Sequence, residues 1–453
     1  QLRQGVSPVI FTSLLNKDGS YNFKSIKVSY FESHTSHTQL EVVLHRVFGE
    51  VQVSYNYYEN LLDDTLIDNL IETHKTIIEK IVKIPTYIYD RINVDIPQSD
   101  KKVMDHANCT STDFLYNNIT DLLLRSMDHN ADRIALETLN SKMTYRDLKE
   151  QAIKVASYLL KEKVEKRTPI AIVLEKGLDQ IISILGCAFA GMIYMPFEED
   201  IPLTRLKECM KKAACKMVFS QRQDLIEDSE LHILDVKQIR KLNDAIIWKL
   251  EERNENDILA IIHTSGSTGI PKAVLIKDKG VLNCVQWTNE KFNVTCGDAA
   301  IALTDVAHDM AIYDIWGILL IGGKLVIPDN IRKKDPTHWM ELIKEKGVTI
   351  WNSVPAMPEM LLQVLKMHKL TFNNKIRLFI LGGDYMKFYV PQGLWKIAPG
   401  SIVVNVGGPT ETTIWNIWHI VTEKDIEKGI IPYGKPIQNT QYYILNDRME
   451  RVP

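Results

Sequence analysis

Short apolar runs alternate with amphipathic stretches of helical spacing from about residue 114 to the end of the chain. A short apolar run between turn-forming residues is typical of a strand buried on both faces, and intervening helices favour parallel pairing. The pattern therefore predicts an α/β fold with parallel-rich sheets flanked by helices. The predicted strands are 170–174, 217–220, 258–263, 299–304, 325–328, 349–352, 378–381 and 402–406.

The first 93 residues have a different pattern. Residues 51–57 are β-prone and rich in aromatic side chains, whereas leucine and isoleucine recur at helical spacing over 61–82. Polar residues then predominate over 94–112, which also contains Pro97 and is interpreted as a linker. We therefore expect a smaller α/β segment at 1–93, a linker at 94–112 and a larger domain at 113–453.

The bulk composition excludes several classes of function. The 54 basic and 57 acidic residues among 453 give a net charge of −3, which favours neither a nucleic-acid partner nor a membrane surface. No apolar stretch reaches the roughly 20 residues of a membrane-spanning helix, and no signal peptide opens the chain. The 6 cysteines are scattered, without a CxxC pair, as reduced packing residues would be. These features predict a cytoplasmic protein, and the ends of the chain suggest a piece of a longer one.

The motif with the most specific chemistry follows the predicted strand 258–263. It reads His263-Thr264-Ser265-Gly266-Ser267-Thr268-Gly269-Ile270-Pro271-Lys272. Glycine lets the backbone approach an anion closely, hydroxyl groups add hydrogen-bond donors, and lysine adds a positive charge. Because Lys272 follows a proline, the motif differs from the Walker pattern. It predicts a loop for the phosphates of a nucleoside triphosphate, with a flexible polar turn as the alternative.

This motif resembles the phosphate loop of the adenylate-forming enzymes, which include acyl-CoA synthetases, luciferases and the adenylation domains of nonribosomal peptide synthetases. The resemblance extends from about Phe114 to the C-terminus, and the family's motifs occur in order. They are Met143-Thr144-Tyr145-Arg146-Asp147-Leu148, Ala190-Gly191-Met192-Ile193-Tyr194-Met195-Pro196, Gly382-Gly383-Asp384 and Asn405-Val406-Gly407-Gly408-Pro409-Thr410-Glu411. The resemblance implies the large subdomain of such an enzyme, without the small C-terminal subdomain that carries the family's catalytic lysine.

The resemblance implies that a carboxylate attacks the α-phosphorus of ATP, that pyrophosphate leaves, and that a phosphopantetheine thiol on a carrier domain then takes the acyl group. Lys272 and Glu411 are the implied catalytic residues of the adenylation step, and Glu411 offers Mg²⁺ a hard oxygen ligand. Gly407 stands where most relatives have a tyrosine that stacks on adenine. The implied ATP-binding residues are Thr264, Ser265, Gly266, Ser267, Thr268, Gly269, Lys272, Gly383, Asn405, Gly407, Gly408, Thr410 and Glu411.

Asp309 lies in a segment, 307–317, that resembles the motif carrying the amino-binding aspartate of amino-acid-activating members. A carboxylate in an apolar pocket needs a cationic partner, and an α-ammonium group would serve. Members that activate aryl or fatty acids generally lack an acid at this position. The alternative is that Asp309 caps a helix beginning near Met310.

The family's pocket positions resemble the pattern of cysteine-activating domains. Gly382 stands where a serine is usual and Met310 where a leucine is usual, so serine, alanine and glycine remain alternative substrates. The implied pocket residues are Asp309, Met310, Tyr313, Asn352, Ile380, Gly382, Val406, Ile414 and Trp415.

Residues 7–15 and 33–41 resemble two late motifs of heterocyclization domains, the condensation-domain variants that form thiazoline or oxazoline rings. Thr12 falls on the threonine implicated in cyclodehydration, while Glu41 stands where that family has an aspartate. The resemblance implies that 1–93 is the end of an upstream condensation-type domain. Ring formation needs a β-thiol or β-hydroxyl group, which favours cysteine, serine or threonine.

The leading hypothesis is an amino-acid-adenylating ligase of antibiotic- or siderophore-type biosynthesis. Two alternatives are an acyl-CoA synthetase-like enzyme and a non-catalytic scaffold that keeps the adenylation fold for docking. Asp309 argues against the first alternative. The phosphate-loop motif and Glu411 argue against the second.

Overall fold

A computed structural model of the chain describes residues 9–13, 38–47, 50–58, 61–86, 95–113, 118–226, 231–242, 248–250, 252–264 and 271–452. The chain divides into two compact units. One unit comprises Gln1–Ala107 and Tyr442–Pro453, and the other comprises Asn108–Gln441. None of the described helices combines the length and apolar composition that a bilayer crossing requires.

The first unit is built around a small mixed sheet, in which the described strands are ordered β1-β2-β3. β1 and β2 are parallel, and β2 and β3 are antiparallel. Leu40 and Val42 of the sheet pack against Ile67 of the first helix, which begins after Asp63 because that side chain accepts a hydrogen bond from the backbone N–H of Thr65. The elements are β1 Val9–Ser13, β2 Leu40–Val47, β3 Glu50–Tyr57, α1 Asp64–Lys83 and α2 Gln98–Ala107.

The predicted strand at 51–57 and helix at 61–82 are confirmed as β3 and α1. Helix α2 lies inside the segment interpreted as a linker. The division into 1–93, 94–112 and 113–453 remains a prediction.

The second unit contains two sheets. In the described part of the chain, one has the strand order β11-β10-β7-β6-β8-β9 and the other β18-β17-β16-β15-β14-β12-β13-β4-β5. Pairing is parallel except at β10–β11, β4–β5, β16–β17 and β17–β18. The first sheet comprises β6 Pro169–Val173, β7 Ile193–Pro196, β8 Met217–Ser220, β9 His232–Leu234, β10 Ile258–Thr264 and β11 Lys272–Lys277. The second comprises β4 Ile134–Glu137, β5 Lys142–Thr144, β12 Ala299–Ile301, β13 Lys324–Val326, β14 Ile350–Ser353, β15 Leu378–Gly382, β16 Ile402–Gly407, β17 Ile417–Ile420 and β18 Lys435–Pro436.

Helices cover both sheets. α4 begins directly after Thr144, because Thr144 and Asp147 form a reciprocal capping box. The helices are α3 Ile119–His129, α4 Tyr145–Lys161, α5 Leu178–Phe189, α6 Leu203–Lys212, α7 Gln223–Ile226, α8 Val236–Lys241, α9 Asp278–Lys291, α10 Met310–Ile312, α11 Pro336–Lys346, α12 Ala356–Met367, α13 Tyr389–Ile397 and α14 Glu423–Lys428.

The apolar runs are strands because both of their faces are covered. In β15, Leu378 and Ile380 belong to one core cluster, whereas Phe379 and Leu381 belong to another on the opposite face. A strand between two apolar layers has no polar face, so its sequence reads as a continuous apolar run. This arrangement confirms the predicted α/β fold with parallel-rich sheets.

All 8 predicted strands of this unit occur, with small differences at their ends. The strand predicted at 299–304 ends at Ile301, because the Leu303 N–H turns back to the Ile301 carbonyl at 3.0 Å. The short strands β4, β5, β7, β9, β11, β17 and β18 were not among the predicted ones. Four of the six cysteines, Cys187, Cys209, Cys215 and Cys284, are buried, in agreement with a packing role.

Candidate active site

The predicted site residues follow the carboxyl ends of strands. Thr264 ends β10, Gly382 ends β15 and Gly407 ends β16. Asp309 follows β12 on the way to α10. In open α/β sheets this edge is where ligands bind, because the connecting loops there can carry polar groups without disturbing the sheet.

A small cavity of about 180 Å³ gathers ten of the predicted site residues. Only His308 and Pro409 among its lining residues were not predicted. Its volume equals a handful of water molecules at about 30 Å³ each, so a small ligand group fits it. The predicted residues that line it are Asp309, Met310, Gly382, Gly383, Val406, Gly407, Gly408, Thr410, Ile414 and Trp415.

Asp309 lines this cavity and is buried, with only 5% of its surface exposed. Its Oδ2 accepts a 2.6 Å hydrogen bond from the Thr410 hydroxyl, and its Oδ1 lies 3.0 Å from Nδ1 of His308. The hydrogen bond to Asp309 raises the pKa of the His308 imidazole. Asp309 makes no side-chain cap to α10, so the helix-cap alternative is wrong.

A larger cavity of about 850 Å³ adjoins the small one and shares His308, Asp309 and Thr410 with it. Thr264, the first residue of the predicted phosphate loop, also lines this larger cavity. Cationic side chains, which suit a polyanionic ligand, also contribute to its wall. These are Lys176, Arg205, Lys333 and Lys334.

The phosphate loop connects two antiparallel strands. Thr264 at the end of β10 pairs with Lys272 at the start of β11, and the Lys272 side chain is exposed. The predicted residues Ser265, Gly266, Ser267, Thr268 and Gly269 lie outside the described residues.

Glu411 lies in the 3₁₀ turn Thr410–Thr412, directly after Thr410 of the small cavity in the chain, and it is exposed. The described residues contain no group of three or more His, Cys, Asp or Glu side chains that could hold a metal ion. Mg²⁺ often binds through one or two carboxylates together with substrate phosphates. Glu411 therefore fits a metal that arrives with ATP and does not fit a permanent metal site.

Three predicted pocket residues do not line the cavity. Tyr313, Asn352 and Ile380 are fully buried. The Tyr313 hydroxyl donates to Oδ1 of Asn289 at 2.9 Å, and its ring packs against Trp415 at 5.1 Å. Tyr313 therefore supports the cavity wall from behind.

The presence of glycine at position 382 has a steric explanation. A Cβ at this position would lie 2.5 Å from the carbonyl oxygen of Val406 and 2.7 Å from its Cγ2. Neighbouring β15 and β16 pair at these two residues, so a serine here would require a backbone shift. The absence of a serine is therefore a consequence of strand packing.

The loop after Glu411 is strained. Thr413 and Ile414 have φ angles of 71° and 54°, a left-handed conformation that costs a β-branched residue of order 1–3 kcal/mol. Ile414 nevertheless lines the small cavity. Such strain clusters at ligand sites, where the surrounding structure maintains it.

Comparison with known proteins identifies the family. The AMP-binding enzyme family matches residues 123–453. The chain belongs to this family.

Individual relatives in this family are much longer than the chain. Bacitracin synthase 1 of Bacillus licheniformis is 28% identical over 455 residues, which cover 100% of this chain and 8% of that protein. Phenyloxazoline synthase MbtB of Mycobacterium sp. (strain MCS) is 27% identical over 340 residues, covering 75% of this chain and 28% of that protein. The AMPPNP-bound crystal structure of the nonribosomal peptide synthetase FmoA3 superimposes with a TM-score of 0.87 at 24% identity, over 98% of this chain and 48% of that one. This structural likeness shows the shared fold.

Lys176, which lines the larger cavity, and the buried Asp314 were not predicted as site residues. Asn352 donates through Nδ2 to the Met310 carbonyl at 3.0 Å and to Oδ1 of Asp314 at 2.8 Å. Burial raises the pKa of Asp314 and lowers the pKa of Lys176, whose Nζ donates to the Thr304 carbonyl at 2.6 Å. The sequence signal for Asp314 was its nearness to Asp309, whereas the surrounding sequence carries no signal for Lys176.

In the first unit, Thr12 and Glu41 lie near each other on one face of the sheet. Thr12 pairs with Val43 and Ile10 pairs with Glu41 in the parallel β1–β2 register, so the two side chains are diagonal neighbours. Thr12 is half-buried and Glu41 is buried. The upstream parts of both heterocyclization-like motifs lie outside the described residues.

Proposed function

We propose that the chain activates an amino acid with ATP as an aminoacyl-adenylate, which a phosphopantetheine thiol on a peptidyl carrier domain then accepts in nonribosomal peptide synthesis. Asp309 carries this proposal, because a buried carboxylate at the junction of the two cavities suits an α-ammonium group. Membership of the AMP-binding family and the relationship to bacitracin synthase 1 support it. That the chain contributes to a peptide product, and that carrier and condensation-type domains are its neighbours, is part of this proposal.

Different sets of residues in the site would bind the amino acid, the nucleoside and the triphosphate. The apolar side chains of Met310, Val406 and Trp415 would contact the amino-acid side chain, while the glycines Gly383 and Gly408 allow the nucleoside to approach the backbone. Thr264 and the basic side chains of the larger cavity, whose lining also contains acidic residues, would hold the triphosphate. These groups accelerate the reaction mainly by positioning the reactants and stabilising charge. When bound with ATP, Mg²⁺ would neutralise phosphate charge beside Glu411.

Cysteine is the proposed substrate. The pocket pattern that ends in Ile414 and Trp415 supports it, as does the small volume of the cavity. Asn352 is fully buried and does not line the cavity, and both of its Nδ2 hydrogens are already donated to protein oxygens, so it offers no hydrogen bond to a substrate in the cavity. Selection of cysteine over alanine therefore depends mainly on the space for one sulfur atom, a difference worth about 1–3 kcal/mol in a pocket.

Amino-acid-dependent pyrophosphate exchange tests the proposal. We expect exchange with cysteine to be strongest and exchange with serine and alanine to be weaker by about 10- to 200-fold. The assay is run with all twenty amino acids on the protein extended past residue 453. Strongest exchange with glycine or a bulky aromatic amino acid would contradict cysteine, and exchange with none of them would contradict amino-acid activation.

The pairing of His308 with Asp309 predicts a pH dependence of amino-acid binding. Protonated His308 shares the charge of Asp309 and competes with the substrate ammonium group. Asp309 holds the pKa of His308 above its ordinary value of about 6.5. As the pH rises through that raised pKa, the imidazole becomes neutral, and we expect the amino-acid KM to fall a few-fold. The measurement is KM between pH 6 and 8.5, and the step should vanish in His308→Ala. An identical profile in both proteins would exclude this competition.

A heterocyclizing neighbour is the proposed assignment of 1–93. The same-face positions of Thr12 and Glu41 support it. Heterocyclization requires a β-nucleophile, which agrees with cysteine as the activated amino acid.

A further inference from the structure

Gly407 lines the small cavity, and the space beside its Cα is already filled. A Cβ at residue 407 would collide with Cε2, Cζ and the hydroxyl oxygen of Tyr433. The outer end of the Tyr433 ring therefore occupies the place where a side chain of residue 407 would begin. The ring comes from a segment 26 residues further along the chain.

The residues on either side of Tyr433 are held in place. Nδ2 of Asn405 donates a 2.9 Å hydrogen bond to the Pro432 carbonyl. Gly434 has a φ of 114° and approaches the Trp418 carbonyl so closely that a Cβ would collide with it. The chain then enters β18, which pairs with β17. Both backbone neighbours are therefore fixed, which limits where the Tyr433 ring can lie.

The Tyr433 ring is not a core residue, because 54% of its surface is exposed. Two aromatic rings line the small cavity in the described part of the chain: the imidazole of His308 is paired with Asp309, and Trp415 is 1% exposed with its indole N–H donating to Thr288. Its indole is therefore too enclosed for a nucleobase to stack on. Tyr433, in contrast, contacts Gly407 and still has exposed ring surface.

We infer that Tyr433 supplies the aromatic face on which the adenine of ATP stacks, in place of the side chain that residue 407 lacks. The inference rests on the proposed adenylation function. Asn405 then acts as a positioning residue, because its amide holds the segment that carries the ring. Every nucleobase has a π-face, and stacking on an aromatic side chain is sequence-tolerant and favourable.

A nucleotide-binding measurement separates stacking from packing. We expect Tyr433→Ala to weaken AMPPNP binding in calorimetry by about ten- to one-hundred-fold, while the amino-acid KM changes less than twofold. Tyr433→Leu keeps most of the packing volume but has no π-face, so it should be as weak as the alanine variant. Tyr433→Phe should bind like the parent. Ile430→Ala is the matched control, since Ile430 is an exposed apolar residue of the same segment.

The double variant Gly407→Tyr with Tyr433→Ala provides the rescue. Gly407→Tyr alone should bind AMPPNP poorly because the two side chains collide, whereas the double variant should regain most of the parent's affinity. Parent-like affinity in Tyr433→Leu would overturn the inference, and so would a double variant no better than Tyr433→Ala. If the parent still shows amino-acid-dependent exchange, either result contradicts the role of Tyr433 but not the proposed function. A parent that binds no AMPPNP would overturn both.

Discussion

Asp309→Ala is expected to lower kcat/KM for the amino acid by about a hundred-fold or more, mainly through KM. The substrate ammonium group would be buried without its counter-charge, and truncating one partner of a buried charge pair costs about 2–5 kcal/mol. The Thr410 hydroxyl, which donates to Asp309 at 2.6 Å, would also lose its acceptor. Pyrophosphate exchange at varied amino-acid concentration measures the effect, and the KM for ATP should change little.

Asp305→Asn is a suitable control for this variant, since Asp305 lines the larger cavity and does not line the small one. It removes a nearby negative charge without removing the proposed ammonium ligand, so we expect at most a few-fold change. An unchanged amino-acid KM in Asp309→Ala would remove Asp309 from substrate binding.

Glu411→Gln is expected to slow the ATP-dependent step by orders of magnitude while the protein stays folded. The amide keeps the size of the side chain but is a poor ligand for Mg²⁺, which prefers charged oxygen. Glu411 is exposed in its turn, so the substitution leaves no buried group unpaired. Exchange rates across a Mg²⁺ titration should show a higher requirement for the metal in the variant.

Glu423→Gln is the control for Glu411→Gln. Glu423 lies in the first turn of α14, a short helix outside both described cavities. The Glu423→Gln substitution should leave the rate of pyrophosphate exchange unchanged. Equal rates for Glu411→Gln and the parent at every Mg²⁺ concentration would exclude Glu411 as a metal ligand.

Much of the fold follows from local sequence. The runs that became β8, β15 and β16 are mostly apolar because both faces of each strand are covered. Thr144 and Asp147 predict the start of α4 through capping, an interaction within one turn of the chain. The strands β5 and β18, of three and two residues, contain too few apolar positions for a pattern and depend on pairing with a neighbour.

The sequence by itself determined which segments reach the site, since the motifs around Thr264, Asp309 and Gly407 follow predicted strands and the carboxyl ends of strands form the site in α/β folds. Only the tertiary structure decided what each side chain does there. Asp309 binds Thr410 instead of capping α10, and Tyr433 fills the space beside Gly407. The physical reason is distance along the chain: these partners are 101 and 26 residues apart, and only sheet pairing and core packing bring them together.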